Sequence, residues 1–294
     1  SVYTIRGVLR MGKKGKVITT LAVLIFAGIV AVGTWQFDYI KKFINENIFK
    51  VNASVTNPPA VETEDIKAAG VYNGGNLTKS WEDFIINNEF IVDENGVLSK
   101  GSIDNSTLVG ELVLPNNITR IERNTFLSSG ITSVIIPKSV KEIGSSCFFD
   151  CSELIDVKIL GAEKIGDFAF NNCYSIESIE LPDNLLTIGG NAFYNCENLK
   201  TITIPKGVED ISFGLFELCY SLKTITILGK IKTIGSSAFS GCKELKEIIL
   251  PETVTSIGED AFNNCKKLST LYISASVKVI TRPFMNCAPN LILY

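Results

Sequence analysis

The side chains best suited to chemistry in this chain are its eight cysteines; histidine, the commonest general base and metal ligand, is absent. Without histidine there is no Ser/His/Asp triad, no Cys/His dyad and no His-based zinc site. The cysteines then have to be read by spacing. Seven of them (Cys151, Cys173, Cys196, Cys219, Cys242, Cys265, Cys287) recur every 22 or 23 residues, each three places after a phenylalanine. Thiols at one place per repeat point the same way in a stack. Four such ligands do not converge on a metal ion, and parallel Cβ vectors disfavour a bridge between neighbours. The expectation is a column of reduced, buried thiols that pack as small hydrophobes. Cys147 stands in the slot held elsewhere by Ala169, Ala192, Ala238 and Ala261, and reads as core too. The acids Asp210, Glu217 and Glu259 fall at turn positions without matching offsets. No phosphate-cradling glycine loop occurs, so the reading is a non-enzyme that needs no cofactor and no metal. A net charge of −3 without a basic, aromatic-laced patch excludes a nucleic-acid surface.

What positions the cysteines is an internal repeat running from Val109 to the end. Copies begin at Val109, Ile131, Leu154, Ile176, Leu199, Leu222, Leu245 and Leu268, and the start of a ninth at Leu291. Each opens with alternating apolar residues such as Leu199, Ile202 and Ile204, as in a strand with one face buried. A proline often follows (Pro115, Pro137, Pro182, Pro205, Pro251), then an Ile-Gly pair (Ile143-Gly144 to Ile257-Gly258) whose glycine suits a tight turn or a left-handed residue. Last come Phe and Cys. The phenylalanines form a second column: Phe126, Phe148, Phe170, Phe193, Phe216, Phe239, Phe262 and Phe284. One such unit cannot bury its apolar side; stacked copies bury it continuously.

The pattern LxxIxLPxxVxxIGxxAFxxC, seen in LKEIILPETVTSIGEDAFNNC (245–265), resembles the BspA-type leucine-rich repeat of bacterial surface antigens. The resemblance implies an α/β solenoid of about eight turns with one parallel sheet. It also implies an exported protein that adheres to host or partner-cell proteins. The pattern turns the second, third and fifth residue of each copy outward. Most are Thr, Ser, Lys or Glu, as on any solvated face. The exceptions, Ile135, Ile155, Ile249 and Tyr272, and the basic row Lys200, Lys223, Lys246, are the candidate binding residues for an extracellular protein or cell-surface ligand.

Ahead of the repeats lie three further regions. Within residues 1–50, residues 1–16 carry five basic residues and no acid, and 21 uncharged ones follow, Val17 to Phe37, long enough to span a bilayer as a helix with its basic side in the cytoplasm. Two other readings stand beside the membrane anchor. One is a cleaved signal starting at Met11, with Ala31-Val32-Gly33 as its cleavage site. The other extends helical spacing through Ile40, Ile44 and Ile48 and makes residues 1–50 a pilin-like assembly helix that joins copies into a filament or oligomer. Ile5 stands where a pilin carries glutamate, and the first sixteen residues are basic and mixed, which departs from that family. All three readings export the remainder. Residues 51–79 read as a linker. Residues 80–108 read as an N-terminal cap, with Ser80 and Asp83 capping a short helix, Trp81 and Phe84 packing on the first repeat, and Asn95-Gly96 turning a hairpin.

Overall fold

The computed structural model describes residues 68–293, apart from 74, 89, 101–104, 106–107, 274–276, 280–282 and 289–291. The anchor, signal and assembly-helix readings of residues 1–50 lie outside the described residues. Among the described residues, no helix is long and apolar enough to cross a membrane.

The chain enters through β1 (Gly70–Asn73) and β2 (Asn76–Ser80), an antiparallel hairpin. Residues 70–73 and 76–79, within the stretch expected as linker, are therefore sheet. β1 goes on to pair with β5 (Val109–Val113), which gives their backbone groups partners that composition does not reveal. Helix α1 (Trp81–Asn88) follows. Its start is capped as the sequence suggests: Asp83 N–H donates to Ser80 Oγ at 3.2 Å, and Ser80 Oγ–H donates to Asp83 Oδ2 at 3.0 Å. β3 (Phe90–Val92) and β4 (Val97–Lys100) then pair antiparallel across Asn95-Gly96, with Gly96 at φ 77°.

From β5 onward every coil contributes two strands, where one sheet was expected. The first ladder contains β5, β7 (Gly130–Ile136), β9 (Asp156–Ile159), β11 (Ser178–Ile179), β13 (Thr201–Ile204), β15 (Thr224–Ile227), β17 (Glu247–Ile249), β19 (Thr270–Tyr272) and β21 (Ile292–Leu293). The second consists of β4 and two-residue strands at the Ile-Gly corner: β6 (Arg120–Ile121), β8 (Glu142–Ile143), β10 (Lys164–Ile165), β12 (Thr187–Ile188), β14 (Asp210–Ile211), β16 (Thr233–Ile234), β18 (Ser256–Ile257) and β20 (Lys278–Val279). Where coils pair the pairing is parallel, but neither ladder is continuous: β15 and β17 do not pair in the first, nor do β12 and β14 in the second. The solenoid makes about seven turns, where about eight were expected.

The third side corrects the α/β expectation. It is a run of turns, so the described residues of the repeat region are strand and turn, with α1 preceding them in the chain. The turns also bond from coil to coil. Phe126, Phe148, Phe170 and Phe193 N–H donate to the carbonyls of Cys147, Ala169, Ala192 and Leu215 at 2.8–3.1 Å. Left-handed residues on either side of each phenylalanine aim these groups along the stack. Asn124 and Ser128 have φ 59° and 55°, and Ser146 and Asp150 have φ 53° and 60°. Asn, Asp and Ser tolerate this region better than most side chains. A helix would direct the same groups within its own coil.

The Ile-Gly glycines do a different job from the one expected. None of Gly144, Gly166, Gly189, Gly235 or Gly258 has positive φ. A Cβ on any of them would instead lie 2.3–2.5 Å from a backbone nitrogen of the preceding coil. Close approach of two backbones, and not a left-handed turn, requires glycine there.

The interior is one column. Trp81, Phe84 and Phe90 extend the phenylalanine ladder at its start, and the stack continues to Phe284 with ring centroids 5.0–5.8 Å apart. The spacing follows from coils set ~4.8 Å apart by their strands, which is also a favourable offset-stacking distance. The core placing of Trp81 and Phe84 on the first coil agrees with the sequence reading.

Candidate functional site

The thiols are structural. All eight cysteines are free, and all but the half-buried Cys287 are sealed from solvent. Each of the seven recurrent thiols donates to the carbonyl of a phenylalanine in the preceding coil: Cys151 to Phe126, Cys173 to Phe148, and so on to Cys287 to Phe262, at 3.0–3.2 Å. The contact gives a buried carbonyl a partner. Desolvation raises every one of these thiols, Cys151 to about 11 and Cys196 to about 12, so thiolate chemistry is suppressed. Among the described residues no three His, Cys, Asp or Glu side chains are placed to hold a metal ion.

The outward side of the first ladder is the surface the repeat builds most regularly. Alternation puts Ile202 and Ile204 inside and Thr201 and Thr203 outside in β13, and parallel register repeats the pattern in β15. The structure brings some candidates together and separates others. Ile249 and Tyr272 are register partners on β17 and β19, 63% and 37% exposed. Ile135, half-buried in β7, faces Lys158 of β9 in register, several coils away from them. Ile155 is 56% exposed just before β9 and lies in the row that runs from Thr132 through Glu177 to the lysines. Lys200, Lys223 and Lys246 occupy one exposed row on successive coils. That row is partly neutralised. Lys200 Nζ lies 2.6 Å from Glu177 Oε2. The Glu244 carboxyl is held below its usual range by its hydrogen bond from Lys267, with Lys223 and Lys246 adding to the effect. The surface is thus a polar sheet with an apolar pair near one end and a partly neutralised lysine row along its edge.

Three features escaped the sequence reading: the second ladder, its row of ion pairs between coils, and a break in that ladder. Arg120 lies 3.4 Å from Glu142, Glu142 lies 3.0 Å from Lys164, and Lys141 lies 3.2 Å from Glu163. The break lies between β12 and β14, which do not pair, and a cleft of about 440 Å³ opens there. The signal that could have located it was Ser212 in the glycine slot of the repeat.

The motif that carries the family resemblance is thus repeated with its side chains in register. The family model for the BspA type leucine rich repeat region, in six copies, matches residues 86–162 and 163–290. The chain belongs to the BspA-type leucine-rich-repeat family. Solved structures similar to this BspA-type chain include a leucine-rich repeat protein of T. pallidum, 23% identical at a TM-score of 0.42, covering 53% of this chain and 86% of that one. The pneumococcal vaccine antigen PcpA is 20% identical at a TM-score of 0.33, with 62% and 66% covered. A leucine rich cell surface protein of Faecalibacterium prausnitzii is 22% identical at 0.29, with 69% and 91% covered. No curated protein matches the chain.

Proposed function

We propose that this BspA-type protein is an exported, cell-surface binding module that adheres to a protein on another cell through the outward face of its first ladder. The observation that carries the reading is the adjacent, exposed pair Ile249 and Tyr272 on β17 and β19. Neither side chain contributes to the column, and apolar groups held outward on a rigid sheet are suited to a protein contact. Ile135 and Ile155 extend the apolar character toward the other end. Lys200, Lys223 and Lys246 supply an edge that favours an acidic rim on the partner. In this reading the basic segment and the apolar residues 17–37 hold the protein to the membrane, with the repeats outside.

The test has two parts. Protease treatment of intact cells should remove the repeats, and their full protection would defeat the surface assignment. Binding of the full chain to an array of cell-surface proteins should drop at least about ten-fold when Ile249 and Tyr272 are both replaced by threonine. Threonine already occupies that row at Thr203 and Thr226, so the fold is kept. Undiminished binding by the double variant would move the contact elsewhere.

A further inference from the structure

The repeats act as internal controls: each coil shows which residue a slot ordinarily holds. Between residues 186–190 and 209–213 several slots depart together. Leu186 replaces the Lys141, Glu163, Glu209 or Lys232 of other coils. Ser212 replaces the glycine. Gly190 and Phe213 occupy the slot of Ser145, Asp167, Ser236 and Glu259.

The serine has a direct physical effect. At Gly144, Gly166, Gly189, Gly235 and Gly258 the N–H donates to the isoleucine carbonyl one coil back at 2.7–2.8 Å. The Cβ of Ser212 cannot enter that space, and its hydroxyl donates to the Ile188 carbonyl instead. Here β12 and β14 part. Lys141, Glu163, Leu186 and Lys232 N–H each donate to the carbonyl one coil back at 2.7–2.9 Å. Among the described residues, Glu209 N–H makes no such bond and the Leu186 carbonyl receives none. The seam is closed at both ends. A Cβ on Gly207 would lie 2.6 Å from the Leu185 carbonyl, and Asn191 N–H donates to the Phe213 carbonyl at 2.9 Å. Leu186, 53% exposed, stands at one end. Phe213, 55% exposed, stands at the other with its ring laid over Gly190, where any Cβ would sit 2.4 Å from Cε1. Beside it Phe168 is partly exposed in a left-handed conformation, φ 58°, with its N–H bonded to the Gly190 carbonyl. The rim is acidic: Asp167, Glu209 and Asp210 against Lys232, which pairs with Glu209.

We infer that this seam is a second binding surface, and that it takes an extended segment of a partner protein with apolar and basic residues alternating. The segment's main chain meets the free Leu186 carbonyl and Glu209 N–H, its apolar side chains pack on Leu186 and Phe213, and its cations meet the carboxylates. Four residues separate the two ends, about 13 Å of extended chain, so four or five partner residues fill it. The site uses the second ladder and does not depend on the strand-face reading.

The probe is a phage library of random dodecapeptides, selected on the full chain. Three variants restore residues that sibling coils already carry, so each keeps the fold: Leu186→Lys, Ser212→Gly and Phe213→Ser. Selected peptides should show alternating apolar and Lys/Arg residues and bind each variant at least about ten-fold more weakly. Their affinity should fall with salt, and they should bind the Ile249→Thr variant unchanged. Amide exchange supplies the second readout. Glu209 N–H should exchange faster than Lys232 N–H in the free protein, slow when peptide binds, and slow in Ser212→Gly without peptide. The inference is overturned if no peptide is enriched, if selected peptides bind Phe213→Ser equally well, or if Glu209 is already as protected as Lys232.

Discussion

The buried thiol column should make this solenoid unusually sensitive to alkali. In the unfolded chain each thiol releases its proton near its ordinary value of about 9.0. In the coil, burial holds Cys151 to about 11 and Cys196 to about 12, with Cys147, Cys173, Cys219 and Cys242 raised as well. Native values lie above unfolded ones, so the native state retains protons that the unfolded state gives up. Stability is therefore full below about pH 9 and falls as pH rises through the native values. One pH unit above the unfolded value costs about 1.4 kcal/mol per thiol. Seven thiols are sealed in the core, so the combined loss near pH 10 is on the order of several kcal/mol, a large share of the stability of a typical domain. Urea unfolding of reduced protein, followed by circular dichroism between about pH 8 and pH 10.5, measures it. The discriminating variant is Cys196→Ala with Cys219→Ala, which should lower the slope of stability against pH by up to about 3 kcal/mol per unit. Its lower stability at neutral pH does not affect that slope. An unchanged slope would refute the reasoning, since tyrosine or lysine titration would then drive the transition.

Other outcomes follow from the same coil. Phe193→Ala removes a ring stacked 5.5 Å from Phe170 and 5.8 Å from Phe216; thermal or urea denaturation should show a loss of about 3–5 kcal/mol, and Phe284→Ala, half-buried near the end, clearly less. Gly235→Ala sets a Cβ 2.5 Å from the Phe213 nitrogen and should cost about 1–3 kcal/mol, whereas Ser236→Ala beside it should be near neutral. Glu177→Gln breaks the exposed ion pair with Lys200, and urea midpoints should move by less than about 1 kcal/mol. Desolvation, with Asp260 adding, raises the Glu217 carboxyl above its ordinary 4.5. The native state holds that proton longer, so ionisation removes stability as pH rises above about 4.5; Glu217→Gln should flatten that loss in acid titrations.

Much of this protein was legible in the sequence because the repeat is a local code read many times. The apolar alternation, the Phe and Cys columns, the free thiols and the capping of α1 by Ser80 each depend on residues close in the chain or at a constant offset. The outward rows followed from the same alternation, which is why Ile249, Tyr272 and the lysines could be named before their neighbours were known. Tertiary structure decided what depends on how tightly one coil lies on the next. It turned the Ile-Gly glycines from supposed tight turns or left-handed residues into points of backbone contact, and made a second ladder of pairs that are too short to read as strands. It replaced the expected helix with turns, since Asn124, Ser128 and their successors direct N–H groups to the following coil. It also tied residues 70–80 to β5 as sheet, a pairing across some forty residues that composition does not encode. The seam at Ser212 belongs to both levels. The substitution is visible in the chain, but its effect exists only because another backbone occupies the space where a Cβ must go.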